Sequence, residues 1–233
     1  MPEKQTIRQV NEIEYILTRK HVKNINMRVY ADGKICVSAN NRVSLKDIDA
    51  FVSKNKDYIN KVRKKAESRP EIHFIPNEFK NGSEFYFLGK KRVIAGIDNG
   101  ETYLSGNVLY LPASDSNKMQ KLFTEWLKGQ AEHILMKYVD KVYSEFKIYK
   151  VPYPQITIRT MKSRWGSCMP TKNKITLNLL LLATPPECIY YVVVHEFAHF
   201  IYPNHSPMFW SLVARFIPDY KDKRKTLKQY STL

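Results

Sequence analysis

Thr184-Pro185-Pro186-Glu187-Cys188-Ile189-Tyr190-Tyr191-Val192-Val193-Val194-His195-Glu196-Phe197-Ala198-His199 is the stretch that decides the fold of the C-terminal half. Threonine suits a helix cap, proline suits the first turn, and glutamate three residues on completes a capping box. The apolar run Ile189–Val194 predicts a helix with one side buried, extending to about Tyr202 and stopped by Pro203. Residues four apart share a helix face, so His195 and His199 point the same way. Glu196 is turned about 100° from His195, given 3.6 residues per turn. Two such imidazoles can bind one zinc ion at about 2.0–2.1 Å per nitrogen, and the glutamate can take a proton from water the ion activates. By average residue usage, the pattern HExxH arises by chance in a chain this long on the order of once in a hundred.

A catalytic zinc takes three protein ligands and keeps one position open. His205 is the leading candidate for the third. Asn204 suits a left-handed turn after Pro203, and Ser206-Pro207 reads as the cap and first position of a new helix. His205 then sits in a tight reversal where its ring can fold back. Asp219, Asp222 or an earlier acidic residue remain open as alternatives. The spacing 195–199–205 equals that of HExxHxxGxxH metzincins, but Tyr202 replaces their glycine and no methionine turn follows. The expectation is one Zn2+ per chain.

Upstream, Gln155–Arg159 alternates like a strand, Lys162–Cys168 reads as a connection, and Ile175–Leu182 as the return strand of a hairpin. Before it, Met119, Leu122, Phe123, Trp126, Leu127, Ala131, Ile134, Leu135, Tyr138, Val139, Val142 and Phe146 form one apolar stripe, predicting a helix of about 30 residues. His133, beside that stripe, reads as a packing or surface residue. Residues 1–113 carry short strand patterns: Ile13/Tyr15/Leu17, Ile25/Met27/Val29, the Asp32-Gly33 turn, Phe85–Leu88 and Val108–Leu111. An antiparallel meander is expected, interrupted by one helix capped at Ser44 with Asp47 and carrying Ile48, Phe51, Val52, Ile59 and Val62. The fold class is α+β, with a β-rich region over 1–113 and a metal-binding catalytic domain over 114–233.

The chain has 233 residues and a formal charge of +16, from 38 Lys and Arg against 22 Asp and Glu. That balance suits an anionic substrate or nucleic acid, and equally a solvated cationic surface. The basic end of the first helix, Lys61–Arg69, has a structural explanation in the helix dipole. Lys221–Lys228 reads as a solvated basic tail after the last helix. Cys36, Cys168 and Cys188 are sparse, odd in number and lack metal-site spacing, which argues against a disulfide framework. No signal-peptide core follows Met1, and no run approaches the roughly 20 apolar residues of a spanning helix. A cytoplasmic protein without membrane insertion is expected.

Lys162-Ser163-Arg164-Trp165-Gly166-Ser167-Cys168, the apolar return strand, His195–His199, Asn204-His205-Ser206 and Phe209-Trp210 stand together in an order that resembles the YgjP-like family of metallopeptidases, related to the SprT-like zincins. The match covers roughly 114–233 through these motifs. The N-terminal region is similar in character only, with short strands and a basic Arg19–Arg28 stretch. The resemblance implies a zincin-like core with a β-hairpin and an active-site helix, His195, His199 and His205 on the metal, and Glu196 as the catalytic residue; a peptide or protein is the leading substrate, since an HExxH helix after a hairpin suits binding of a peptide along a strand edge. Arg164, Tyr202 and Tyr220 are candidates for contact with an oxyanion or substrate. Two other readings stay open. One is a metal-dependent nucleotide phosphoanhydride hydrolase, suggested by charge and by Arg159 and Arg164. The other is a nucleic-acid-binding module with a structural zinc.

Overall fold

In each four-stranded sheet of this α+β protein, a strand rich in apolar residues takes an inner place. The computed structural model describes residues 5–30, 33–67, 74–161 and 163–230. It divides into two compact units, Met1–Glu71 (with Thr232–Leu233) and Ile72–Ser231.

In the first unit, β1 (Gln5–Val10) and β2 (Ile13–Arg19) form one antiparallel hairpin, and β3 (Asn26–Val29) and β4 (Ile35–Ala39) form a second. The sheet order is β1-β2-β4-β3, and β2 pairs with β4 in parallel, Leu17 opposite Val37. The expected meander therefore holds within each hairpin and fails where they join. A meander would have placed β4 at the edge. Ile35, Val37 and Ala39 are buried, whereas β3 carries exposed Asn26 and Arg28, which an edge strand tolerates. The Ser44 cap is present, its hydroxyl accepting from the Asp47 backbone N–H at 3.1 Å. The single expected helix is two, α1 (Leu45–Lys54) and α2 (Lys56–Glu67). Asn55 breaks it, its side-chain amide donating to the Phe51 carbonyl. Ile48, Val52 and Ile59 close the core over Tyr15, Leu17 and Val37. Asp32 and the Ser68-Arg69 end of the basic cluster lie outside the described residues.

The second unit repeats the same strand order. β5 (Glu84–Phe87), β6 (Lys90–Gly96), β7 (Tyr103–Ser105) and β8 (Val108–Leu111) are arranged β5-β6-β8-β7, with β6 and β8 parallel. Helix α3 (Ser116–Phe146) follows, its first turn capped by Asp115, which accepts from the Lys118 N–H at 2.8 Å. The stripe from Met119 to Phe146 is its buried side, and His133 is exposed. Phe79 and Phe85 pack their rings 5.3 and 5.1 Å from Phe123, and Phe87 lies 4.9 Å from Trp126. This sheet and the start of α3 share one core, so the expected boundary near 114 falls inside the second unit.

A three-stranded sheet comes next: β9 (Gln155–Arg159), β10 (Gly166–Met169) and β11 (Lys174–Asn178), in the order β10-β11-β9. The expected hairpin between 155–159 and the return strand is absent. β9 and β11 run parallel, and the segment expected as a connection supplies β10, the true hairpin partner of β11. The return strand ends at Asn178, not Leu182. Asn178 is 1% exposed, donates to the Met161 and Arg164 carbonyls at 2.8 and 2.9 Å, and accepts from Leu180 N–H. Its side chain bends the strand into a short helical turn over Leu179–Ala183. Lys162 lies outside the described residues.

Three helices complete the unit: α4 (Pro186–Ala198), α5 (Pro207–Phe216) and α6 (Tyr220–Gln229). Helix α4 is buried on most sides, with Ile189, Val193, Val194, Phe197 and Ala198 all inaccessible, as a helix apolar nearly all round must be. Thr184 does not cap it. Its hydroxyl donates to the Leu181 carbonyl, and Pro185 stands at the cap position. Among the described residues no helix is long and apolar enough to cross a membrane.

Replacing Asn178 by alanine leaves several buried backbone groups without partners, each worth about 1 kcal/mol or more. We expect Asn178→Ala to lower unfolding free energy by roughly 3 kcal/mol, read from urea denaturation; a change below about 1 kcal/mol would show that the turn is held by other means.

Candidate metal centre

Helix α4 ends sooner than the sequence suggested, and that ending builds the site. His199 is its capping residue, and the chain tightens as Phe200 N–H bonds the Phe197 carbonyl and Ile201 N–H the Ala198 carbonyl. After Pro203, Asn204 accepts from Ser206 N–H, and Ser206 caps α5 by accepting from Phe209 N–H. The reversal returns His205 to α4. Its Nε2 lies 3.0 Å from Nε2 of His195, and ligand-capable atoms of His195, His199 and His205 all lie within 4.8 Å of one another. Two nitrogens sharing one zinc stand about 3.3 Å apart, given bonds of about 2.0–2.1 Å and tetrahedral angles. Phe209 forms a floor beneath them, its ring 4.9, 4.7 and 4.8 Å from His195, His199 and His205.

The donor chemistry fits a cation. Nδ1 of His199 lies 3.2 Å from the Tyr202 carbonyl, which can only accept, so the proton belongs on Nδ1 and the Nε2 lone pair is free. Two neutral Nε2 atoms 3.0 Å apart repel unless a proton or a cation lies between them. His195 is held neutral, its pKa pushed down to about 3 by burial first, then by His199, His205 and Arg224. Neutral imidazole is the form that ligates metal. Asp219, an alternative third ligand, pairs instead with Lys223 at 2.9 Å. Among the described residues the three histidines are the single group able to hold an ion.

Glu196 lies beside them and is 5% exposed. Burial pushes its carboxyl up to about 8, against the opposing pull of the Arg164 guanidinium and a hydrogen bond from the Cys168 backbone N–H. Strand β10 comes so close that a Cβ on Gly166 would lie 2.5 Å from Oε1 of Glu196. Glycine is required there by space. Cys168, next to this contact, has its thiol pushed up to about 12 by burial first and by Glu196 second. All three cysteines are free.

A cleft of about 290 Å3 opens against His195 and Glu196. Arg164, Trp165 and Tyr191 line it, together with Arg224 and Lys228 of α6. Tyr202 is not a wall residue; it contributes its backbone carbonyl to His199, while its ring packs toward the core. Tyr220 stacks on Trp210 at 5.1 Å. Arg159 ends β9, at the opposite edge of the sheet from β10. The Lys221–Lys228 run, expected as a tail, forms most of α6. Reading it with helical spacing would have put Arg224 and Lys228 on one face, one turn apart.

Comparison with known proteins adds a family match: the model described as YgjP-like, metallopeptidase domain, matches residues 23–230. No curated protein matches. Two solved structures resemble part of the chain. The metallopeptidase zymogen jannalysin of Methanocaldococcus jannaschii is 19% identical with a TM-score of 0.37, covering 41% of this chain and 95% of its own. The zymogen abylysin of Pyrococcus abyssi is 23% identical with a TM-score of 0.35, covering 43% and 96%. Likenesses this slight add nothing to the family match.

The raised Glu196 carboxyl has a consequence for stability. In metal-free protein it ionises near 8 when folded and at its ordinary 4.5 when unfolded. Between these values the folded state binds more protons, so its contribution is whole below 4.5 and is lost as pH rises through 8, at up to about 1.4 kcal/mol per pH unit. Glu196→Gln removes that titration. Melting of chelated protein should show the variant level with wild type near about pH 4 and a few kcal/mol more stable at about pH 8.5; a difference that does not grow with pH refutes the assignment.

Proposed function

This chain belongs to the YgjP-like family of metallopeptidase domains and is a metallopeptidase-like hydrolase; on that premise we propose that His195, His199 and His205 hold one zinc ion and that Glu196 is the general base. The observation that carries the reading is the convergence of three imidazoles within 4.8 Å, one of which, His195, lines a cleft together with Glu196. Bound zinc lowers the pKa of a coordinated water to about 7 and polarises a carbonyl.

The rest falls to the chain's own residues. A cation held by the three imidazoles would draw the raised Glu196 carboxyl back toward its ionised form, so that Glu196 takes a proton at its carboxylate and delivers it to the leaving amine. Gly166 leaves room for that carboxylate, and the Cys168 N–H steadies it. Arg164 stands at the cleft to meet negative charge that develops on the attacked carbonyl. Strand β10 is an edge strand, which can accept an extended peptide as a further strand. The phosphoanhydride reading loses one of its two arginines, since Arg159 lies away from the cleft. The structural-zinc reading finds no fourth ligand among the described residues, and structural sites close with four.

Metal analysis and a panel of unfolded proteins test the proposal. Wild type and Glu196→Gln should each carry one zinc, and His199→Ala and His205→Ala should lose it. Glu196→Gln should cut peptides about 10²–10⁴-fold more slowly. Zinc-loaded wild type that cleaves nothing, or a fully active Glu196→Gln protein, would overturn it.

A further inference from the structure

We propose that the cleft beside Glu196 selects peptides with an acidic side chain next to the bond that is cut, and that Arg224 reads that side chain. This deepens the peptidase reading and rests on it for the nature of the substrate. Three cations line the cleft, Arg164 before β10 and Arg224 and Lys228 on α6, against one carboxylate, that of Glu196. Among the described residues none of the three forms an ion pair with Asp or Glu. All three are exposed at the cleft, and a neutral substrate would gain nothing from their charge. A substrate carboxylate would neutralise them, and a guanidinium offers it paired donors.

Arg224 is the best placed of the three because it is held. Its guanidinium lies 5.3 Å from the Trp210 ring centre. Trp210 itself is stacked at 5.1 Å on Tyr220 and at 5.5 Å on His205. A guanidinium fixed on aromatic rings loses less freedom on binding than one waving in solvent. The same stack ties it to His205, so the cation stands at a set position relative to the three imidazoles. Leu227, 5% exposed, anchors the intervening turn of α6, and Lys228 presents a second charge four residues on.

Matched fluorescein-labelled peptides that differ in Glu against Gln, scanned across several positions, test this in two ways. Binding is measured by anisotropy on zinc-loaded Glu196→Gln protein, and cleavage on wild type. Glu should be favoured over Gln by at least about tenfold at one position, in Kd and in kcat/KM. Arg224→Gln should reduce that preference to about twofold while leaving zinc content unchanged, Arg224→Lys should keep part of it, and Lys128→Gln, an equal loss of charge on the exposed face of α3, should keep all of it. Equal binding of Glu and Gln peptides at every position overturns the proposal, as does equal loss of preference in Arg224→Gln and Lys128→Gln, which would mark a net-charge effect. So does a nucleoside triphosphate that binds through Arg224 while Glu peptides do not. A protein that cuts no peptide yet binds Glu peptides through Arg224 would retain the anion site and lose the peptidase reading.

Discussion

The site depends on where α4 stops. A helix rises about 1.5 Å per residue, so if it ran on unbroken, His205 would lie about 15 Å from His195 along the axis. Instead the helix closes at Ala198, Pro203 bars its continuation, and Ser206 starts a new helix in another direction. The three imidazoles meet because two helix ends are defined within eight residues of each other. Phe209, buried one turn into α5, then supports all three rings at nearly equal distance.

The second constraint is the approach of β10 to α4. Glu196 is buried without a salt bridge, a costly place for a carboxylate. The contact is possible because residue 166 has no side chain, and it is held because Asn178 pins the carbonyls of Met161 and Arg164 from within. A buried amide on one strand thereby sets the position of the loop that bears Arg164, and the same loop leads into the glycine that Glu196 needs. Fold and chemistry are coupled through this short segment, not through the long helix α3, whose buried stripe only joins the core.

Local signals are legible in the sequence, and strand pairing is not. The α4 motif, the reversal at His205, the caps at Ser44 and Ser206, and the 31-residue α3 rest on spacing and side-chain type within a few residues. Strand neighbours do not. A period of two tells which face of β4 is buried but not that β4 stands between β2 and β3, and it is silent on strand direction, so the parallel joins β2–β4 and β6–β8 and the parallel course of β9 along β11 lie beyond it. The boundary near 114 failed to coincide with the compact units for a related reason: a change of periodicity marks a change of element, whereas the aromatic contacts of Phe79, Phe85 and Phe87 with α3 cross it. Helix α6 has one buried residue within its ten, Leu227, so its basic run resembled a solvated tail.

The aromatic stack over α5 and α6 joins the two halves of the site. His205 is the most exposed of the three histidines and sits on a loop, where a ring would otherwise be free to turn. Trp210 packs against it, and Tyr220 stacks on Trp210 at an interplanar angle of 13°. The support that steadies the outermost imidazole is also the platform for the Arg224 guanidinium. A shift of Trp210 must therefore move an imidazole of the triad and a cation of the cleft together. Metal geometry and charge at the cleft share one physical support, so neither can be altered at that residue without the other.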